Sequence, residues 1–140
     1  ASIGAVVGLV AITPAAGYVS VGASIFIGVV ASIVSNLAVS WKSKSTLDDT
    51  LDVFPCHGLG GIVGMIMTGV FANGVGLVYG QTKTFFIHLL ALVIVSVFTF
   101  GGSFLLYKLT DLLIPLRVTK EQEEIGLDLS QHDESVQQRF

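Results

Sequence analysis

His57 is the residue whose type and setting best suit it for chemistry. It stands in Asp52-Val53-Phe54-Pro55-Cys56-His57-Gly58-Leu59-Gly60-Gly61, the fifth residue of a charge-free run. A neutral imidazole carries one donor and one acceptor nitrogen, so it can bond a small polar solute and relay a proton. An ionisable group in an apolar helix is costly and normally faces a bundle interior or a cavity. The glycines around it remove side-chain bulk, which leaves room for a small solute or for another helix. The competing reading is a structural histidine bonded to a neighbouring carbonyl. The residues alone leave both open.

Asp48, Asp49 and Asp52 come just before this run. Carboxylates at a helix N-terminus bond free N–H groups and sit well at the positive end of the dipole. The other role for them is attraction of cations toward a mouth. No partner ligands stand at metal spacing. His88 reads as a packing or interfacial histidine, and His132 as a solvent-exposed or tail-bonded one. The single cysteine, Cys56, gives neither a disulfide framework nor a metal cluster. No nucleophile–base pair, phosphate-cradling loop or CxxC motif is visible, so an enzyme is not expected and no cofactor is implied.

The elements that position these groups are set by where charges fall. The 140 residues are 52% hydrophobic and 12% charged, where a soluble domain carries about 25% charged residues. Mean hydropathy is +0.81. So few charges leave a lipid bilayer as the natural solvent. The net charge of −3 gives nucleic acid no electrostatic footing. No charged side chain occurs over 1–41, 53–82 or 84–107. A spanning helix needs about 20 apolar residues, and three segments qualify: 19–40, 53–72 and 85–107. Residues 1–12 are too short to span and read as the end of a fourth helix. With no initial methionine and no signal-peptide pattern, the chain is expected to continue upstream.

The breaks have their own chemistry. Thr13-Pro14-Ala15-Ala16-Gly17 and Asn73-Gly74-Val75-Gly76 read as turns. Trp41 stands beside Lys42 and Lys44, where an aromatic belt would lie. Three spans put 42–52 and the tail on one side, with six of the seven basic residues; the other side holds Lys83. The positive-inside rule makes the six-residue side cytoplasmic. Small residues recur at helical spacing in three rows: Gly4 and Gly8; Ser24, Gly28 and Ser32, followed by Asn36; and Gly60, Gly64 and Thr68. Such rows let helix backbones approach in lipid. The tail from Pro115 is polar and acid-rich, with a short helix expected over 120–124 and a stop at Gly126-Leu127-Asp128.

At this point the chain resembles a known family. Gly8-Leu9-Val10-Ala11-Ile12-Thr13-Pro14-Ala15-Ala16-Gly17 is similar to the signature region of the ammonium transporter (Amt/Mep/Rh) family. Asp48-Asp49, Asp52-Val53-Phe54, His57-Gly58, Gly61-Ile62-Val63-Gly64 and Met67-Thr68-Gly69-Val70-Phe71-Ala72 resemble its segment with the second pore histidine. Leu116-Arg117-Val118, Glu121-Gln122-Glu123 and Gly126-Leu127-Asp128, with His132 and Glu134, look like its Amt-branch tail.

The resemblance implies an all-α, polytopic membrane helix bundle, the end of an eleven-helix fold: part of one helix, three complete spans and a cytoplasmic tail. It divides the chain into 1–114, membrane-embedded, and 115–140, the cytoplasmic tail. It implies passage of ammonium or ammonia across a cell membrane through a hydrophobic pore, with His57 as the second pore histidine and Val53 as a pore-lining apolar residue. Asp52, with Asp48 and Asp49, would be structural or line the inner vestibule. Arg117, Glu121, Gly126, Leu127, Asp128 and His132 would belong to a regulatory tail. A homotrimer in the lipid bilayer, and in many bacteria a PII-type signalling partner, complete the implied assembly. The family's first pore histidine, phenylalanine gate and aromatic recruitment site match no residue here, and Pro55-Cys56 departs from some members. A sensor that binds a signalling partner, or a channel for another small solute, are the competing functions.

Overall fold

The computed structural model describes residues 2–134, and among them every regular element is helical. Helix α1 (Ser2–Ile12) ends in a 3₁₀ turn at Thr13–Ala15, and α2 (Val21–Lys42) follows. A π-helical turn (Phe54–Leu59) then runs directly into α3 (Gly60–Phe71). After a 3₁₀ turn at Leu77–Tyr79 comes α4 (Thr82–Leu113), then the short α5 (Lys120–Ile125) and α6 (Leu127–His132).

Three of these stretches are long and apolar enough to cross a membrane: Val21–Lys42, Phe54–Phe71 and Thr82–Leu113. At 1.5 Å per residue they are about 33, 27 and 48 Å long, against a hydrocarbon thickness of about 30 Å. The last is therefore longer than a membrane crossing needs. It outruns the expected 85–107 because Lys108 and Asp111 are tolerated in a helix, while Pro115 disfavours helical geometry at Ile114 and ends it.

The chain forms two compact units, divided between Ser96 and Val97. In the first, α1 and α2 run antiparallel around Gly17, whose φ of 81° is one that glycine adopts without strain. Ser20 caps α2 by accepting a hydrogen bond from the Ala23 N–H at 3.3 Å. The buried stripe of α1 is Val7 and Ala11, continued by Ala15; that of α2 is Ile27, Ala31 and Ser35. Each stripe repeats every four residues, so each helix offers one narrow face to the core.

The small-residue rows meet one another. The Ser32 hydroxyl donates to the Gly4 carbonyl at 3.0 Å, and a Cβ on Gly28 would sit 3.8 Å from the Gly8 Cα. Helix α3 packs onto the same place. A Cβ on Gly60 would touch Val7 and Val10, and one on Gly64 would lie 2.9 Å from the Ala11 carbonyl carbon. That approach is closer than a side chain allows, so α3 meets α1 backbone to backbone. The Thr68 hydroxyl, buried in this interface, donates to the Gly64 carbonyl at 2.7 Å and is satisfied within its own helix. Phe26 and Phe71 add an edge-to-face pair with ring centroids 5.6 Å apart. At the same end, the Asn73 N–H donates to the Tyr18 carbonyl at 2.7 Å, tying the two turns together.

The first turns of α4 reach α3 at Gly69, where a Cβ would lie 3.2 Å from the Phe85 Cα. No residue of α4 is buried, although its mean hydropathy is the highest of the three spans. An apolar helix with no buried face suits lipid or further protein as its surroundings, not water.

The second unit holds the end of α4 and the two short helices. Asp111 accepts from the Leu116 N–H at 3.0 Å, closing the turn after α4. Thr119 and Gln122 form a reciprocal capping box at the start of α5. Gly126, at φ 97°, ends α5 as expected. Leu127 and Asp128 do not extend the stop. They open α6, because the glycine turns the chain sharply enough to restart a helix, with Asp128 in its acidic first turn.

Candidate functional site

The site is built from the N-terminus of the second span upward. A helix leaves its first four N–H groups without intrahelical partners. Here the Asp49 carboxylate takes two of them, from Val53 at 2.8 Å and from Phe54 at 2.9 Å. Pro55 has no N–H to satisfy, and the Cys56 N–H reaches the Asp52 carbonyl at 3.0 Å. The bonds from Phe54 and then Val53, with help from the nearby Lys42 charge, hold the Asp49 carboxyl below its ordinary value; partial burial opposes them. The capping role expected of the three aspartates thus falls to Asp49.

Asp52 does something else. Its φ is 53°, a left-handed conformation that a residue with a Cβ adopts at a cost. Its carboxylate lies 2.6 Å from Lys42 Nζ, at the end of α2, and the same ammonium donates to the Asp49 carbonyl. Asp48 is exposed beside them.

The segment Phe54–Leu59 is π-helical. Such turns are uncommon and occur often at functional sites. Pro55 and Cys56 are buried under the turn, while Val53 and His57 are exposed on its other side. His57 and Val53 face a cleft of about 550 Å³, which Trp41, Lys42, Asp48 and Phe54 also line. No hydrogen bond is made to the His57 ring among the described residues. The glycines near it have different tasks. A Cβ on Gly58 would strike the Phe54 ring at 2.9 Å, so its space is filled by that ring; Gly60 faces α1; Gly61 has nothing within 4 Å.

His88 packs as expected, with its Cβ close to the space beside Gly69, and its Nδ1 is buried without a hydrogen-bond partner among the described residues. In the tail unit, Arg117 makes a two-pronged bond to Glu123, at 2.8 and 3.2 Å. Glu121 lies in the first turn of α5, and His132 in the last turn of α6.

Sequence reasoning missed two contributors. In sequence Lys42 shows only its charge sign and its place beside Trp41; its pairing needs the loop over 43–52 to bring it back to Asp52. The signal was available as one lysine ending a span and carboxylates opening the next. In sequence Pro55 stands out as a local departure from some family members, yet a proline in the first turn, where its missing N–H is harmless, is a helix-start signal.

An all-α, apolar bundle with three membrane-length helices and a histidine on an apolar cleft defines a multi-pass membrane protein. The Ammonium Transporter Family model matches residues 2–137, and the chain belongs to that family. It is 40% identical to "Ammonium transporter Amt1" of Archaeoglobus fulgidus over 94% of this chain and 35% of that protein. It is 43% identical to "Ammonium transporter" of Bacillus subtilis over 96% of this chain and 35% of that protein. With "Ammonium transporter" of Aquifex aeolicus it shares 42% identity over 96% of this chain and 33% of that protein. The chain therefore spans about a third of the length of these relatives.

Proposed function

We propose that the complete protein carries ammonium across a membrane, moving ammonia past His57 along an apolar path. Family membership and relatives named as ammonium transporters support the reading. The observation that carries it is His57 itself, an exposed imidazole on a cleft whose other contributors include Val53, Phe54 and Leu59.

The physical logic is one of desolvation. A charged ammonium ion loses much hydration in an apolar passage, whereas neutral ammonia loses little. Deprotonation at the entrance, with the proton passed to a separate path along the pore histidines, followed by passage of ammonia avoids that cost. Histidine suits the passage because it bonds ammonia and moves a proton without holding a fixed charge. Val53 lines the path; Asp48, Asp49 and Asp52 stand at its inner mouth.

The same reading extends to the assembly. The complete fold would have eleven helices, with residues 1–114 in the membrane region and 115–140 as a cytoplasmic tail. Six of the seven basic residues on the tail side support that orientation. A homotrimer and a PII-type signalling partner contacting the tail, through Arg117, Glu121, Gly126, Leu127, Asp128 and His132, belong to the same proposal.

The test is uptake of labelled methylammonium by the complete protein reconstituted in proteoliposomes. Uptake that unlabelled ammonium competes away is expected. Absence of uptake, with transport of some other small solute, would overturn the reading.

A further inference from the structure

We infer that Lys42 is the positioning residue for His57, acting through Asp49 and Asp52. The inference takes its transport readout from the function proposed above, but its geometry stands apart from it.

Lys42 is the last residue of α2 and His57 stands on the next span. Between them the chain makes a ten-residue excursion over 43–52 with little regular structure of its own. What fixes the start of the second span is a short series of bonds. Lys42 Nζ holds the Asp52 carboxylate at 2.6 Å and donates to the Asp49 carbonyl. Asp49 in turn accepts from the N–H groups of Val53 and Phe54 with its two carboxylate oxygens. Asp52 accepts from the Cys56 N–H through its carbonyl, and its own N–H donates to the Asp49 carbonyl at 3.1 Å. His57 is the next residue after Cys56. One ammonium therefore ties down both residues from which the π-helical turn is hung.

The geometry also explains why the tie is needed. Asp52 sits at φ 53°, a conformation that persists only when its surroundings hold it there. Its side chain is partly sheltered, at 25% exposure, and that of Lys42 is at 15%, so the pair is less open to solvent than a surface ion pair. Without the lysine, Asp52 is free to relax toward an ordinary φ. That change would turn its carbonyl away from Cys56 and rotate the first turn. Lys42 and His57 line the same cleft, so the shift would be felt where the imidazole faces it.

Cys56 provides a readout independent of transport, because its thiol is buried, at 6% exposure, on the turn itself. The experiment uses the complete protein in membranes. N-ethylmaleimide labelling of Cys56 is followed by peptide mass spectrometry in wild type, Lys42→Met, Asp52→Asn and the double variant. Asp52→Asn removes the charge with almost no change in side-chain size, so it breaks the ion pair from the other partner and guards against a Lys42→Met protein that fails to fold. Labelling should rise about tenfold in each single variant, as local opening of the turn would give. The double variant should label no faster than the faster single, since both act through one interaction. Amide exchange in α1 should be unchanged, and the maximal methylammonium rate should fall with KM little altered. Unchanged labelling in both single variants overturns the inference, as does a rise matched by general loosening of α1. Increased labelling in a protein that carries no methylammonium keeps the positioning role and removes the transport reading instead.

Discussion

Lys42 Nζ lies 2.6 Å from Asp52 Oδ1, which joins the last residue of one membrane-length helix to a residue two before the start of the next. The pair closes the loop over 43–52 and hands the second span its first turn. Asp49 completes that start by bonding two backbone N–H groups that would otherwise have no partner.

The Asp49 cap has a pH signature. Bonding to Phe54 and Val53 lowers the folded-state value of its carboxyl. A lowered value means that the stabilising contribution is fully present above the ordinary carboxylate range and is lost as pH falls through the folded value. Hydrogen exchange at the Val53 and Phe54 amides is the measurement. At neutral pH, Asp49→Ala should cut their protection about tenfold relative to wild type. The two proteins should converge in strong acid. Equal protection at neutral pH would show that the cap is not formed.

Two glycines of one row should behave differently. At Gly64 a Cβ would lie 2.9 Å from the Ala11 carbonyl carbon and 3.0 Å from its Cα, and backbone cannot move aside cheaply. Gly64→Ala should cost about 2–3 kcal/mol in the stability of the folded protein in detergent. At Gly60 the nearest atoms are the Cγ1 of Val7 and of Val10, at 3.4 Å. Gly60→Ala should fall within about 1 kcal/mol of zero, because alanine's helix preference of about 0.8–1 kcal/mol offsets the tighter fit. Thermal unfolding of the two variants distinguishes them; equal losses would contradict the backbone contact.

Much of this was legible in the sequence. Charge-free runs located the three spans, because a membrane excludes charge over a fixed length. The turns at Gly17 and Gly74 were legible because glycine accepts their positive φ. The small-residue rows were visible, but the pairing of Gly4 with Ser32 and of Gly8 with Gly28 was not, since one helix's spacing carries no register with another. The π-helical turn at His57 was also hidden. Over six residues an apolar run reads the same at either helical pitch. The ion pair between Lys42 and Asp52 depends on the path of an irregular loop, which local pattern does not specify.

The tail offers a separate check. Gly126 adopts φ 97° and ψ 141° between α5 and α6, a region nearly reserved for glycine. Gly126→Ala should cost about 1–3 kcal/mol of local stability. Limited proteolysis of the complete protein should then cut faster near the junction of the two helices. An unchanged cleavage rate would mean that the turn is not held as described.

The central claim is that ammonium transport runs past His57. The most direct measurement is methylammonium flux, with the accompanying current, through the complete protein carrying His57→Ala or His57→Phe. A change of about tenfold or more in rate, or in selectivity between ammonium and methylammonium, is the predicted result. Flux, selectivity and current all equal to wild type in both variants would contradict the account.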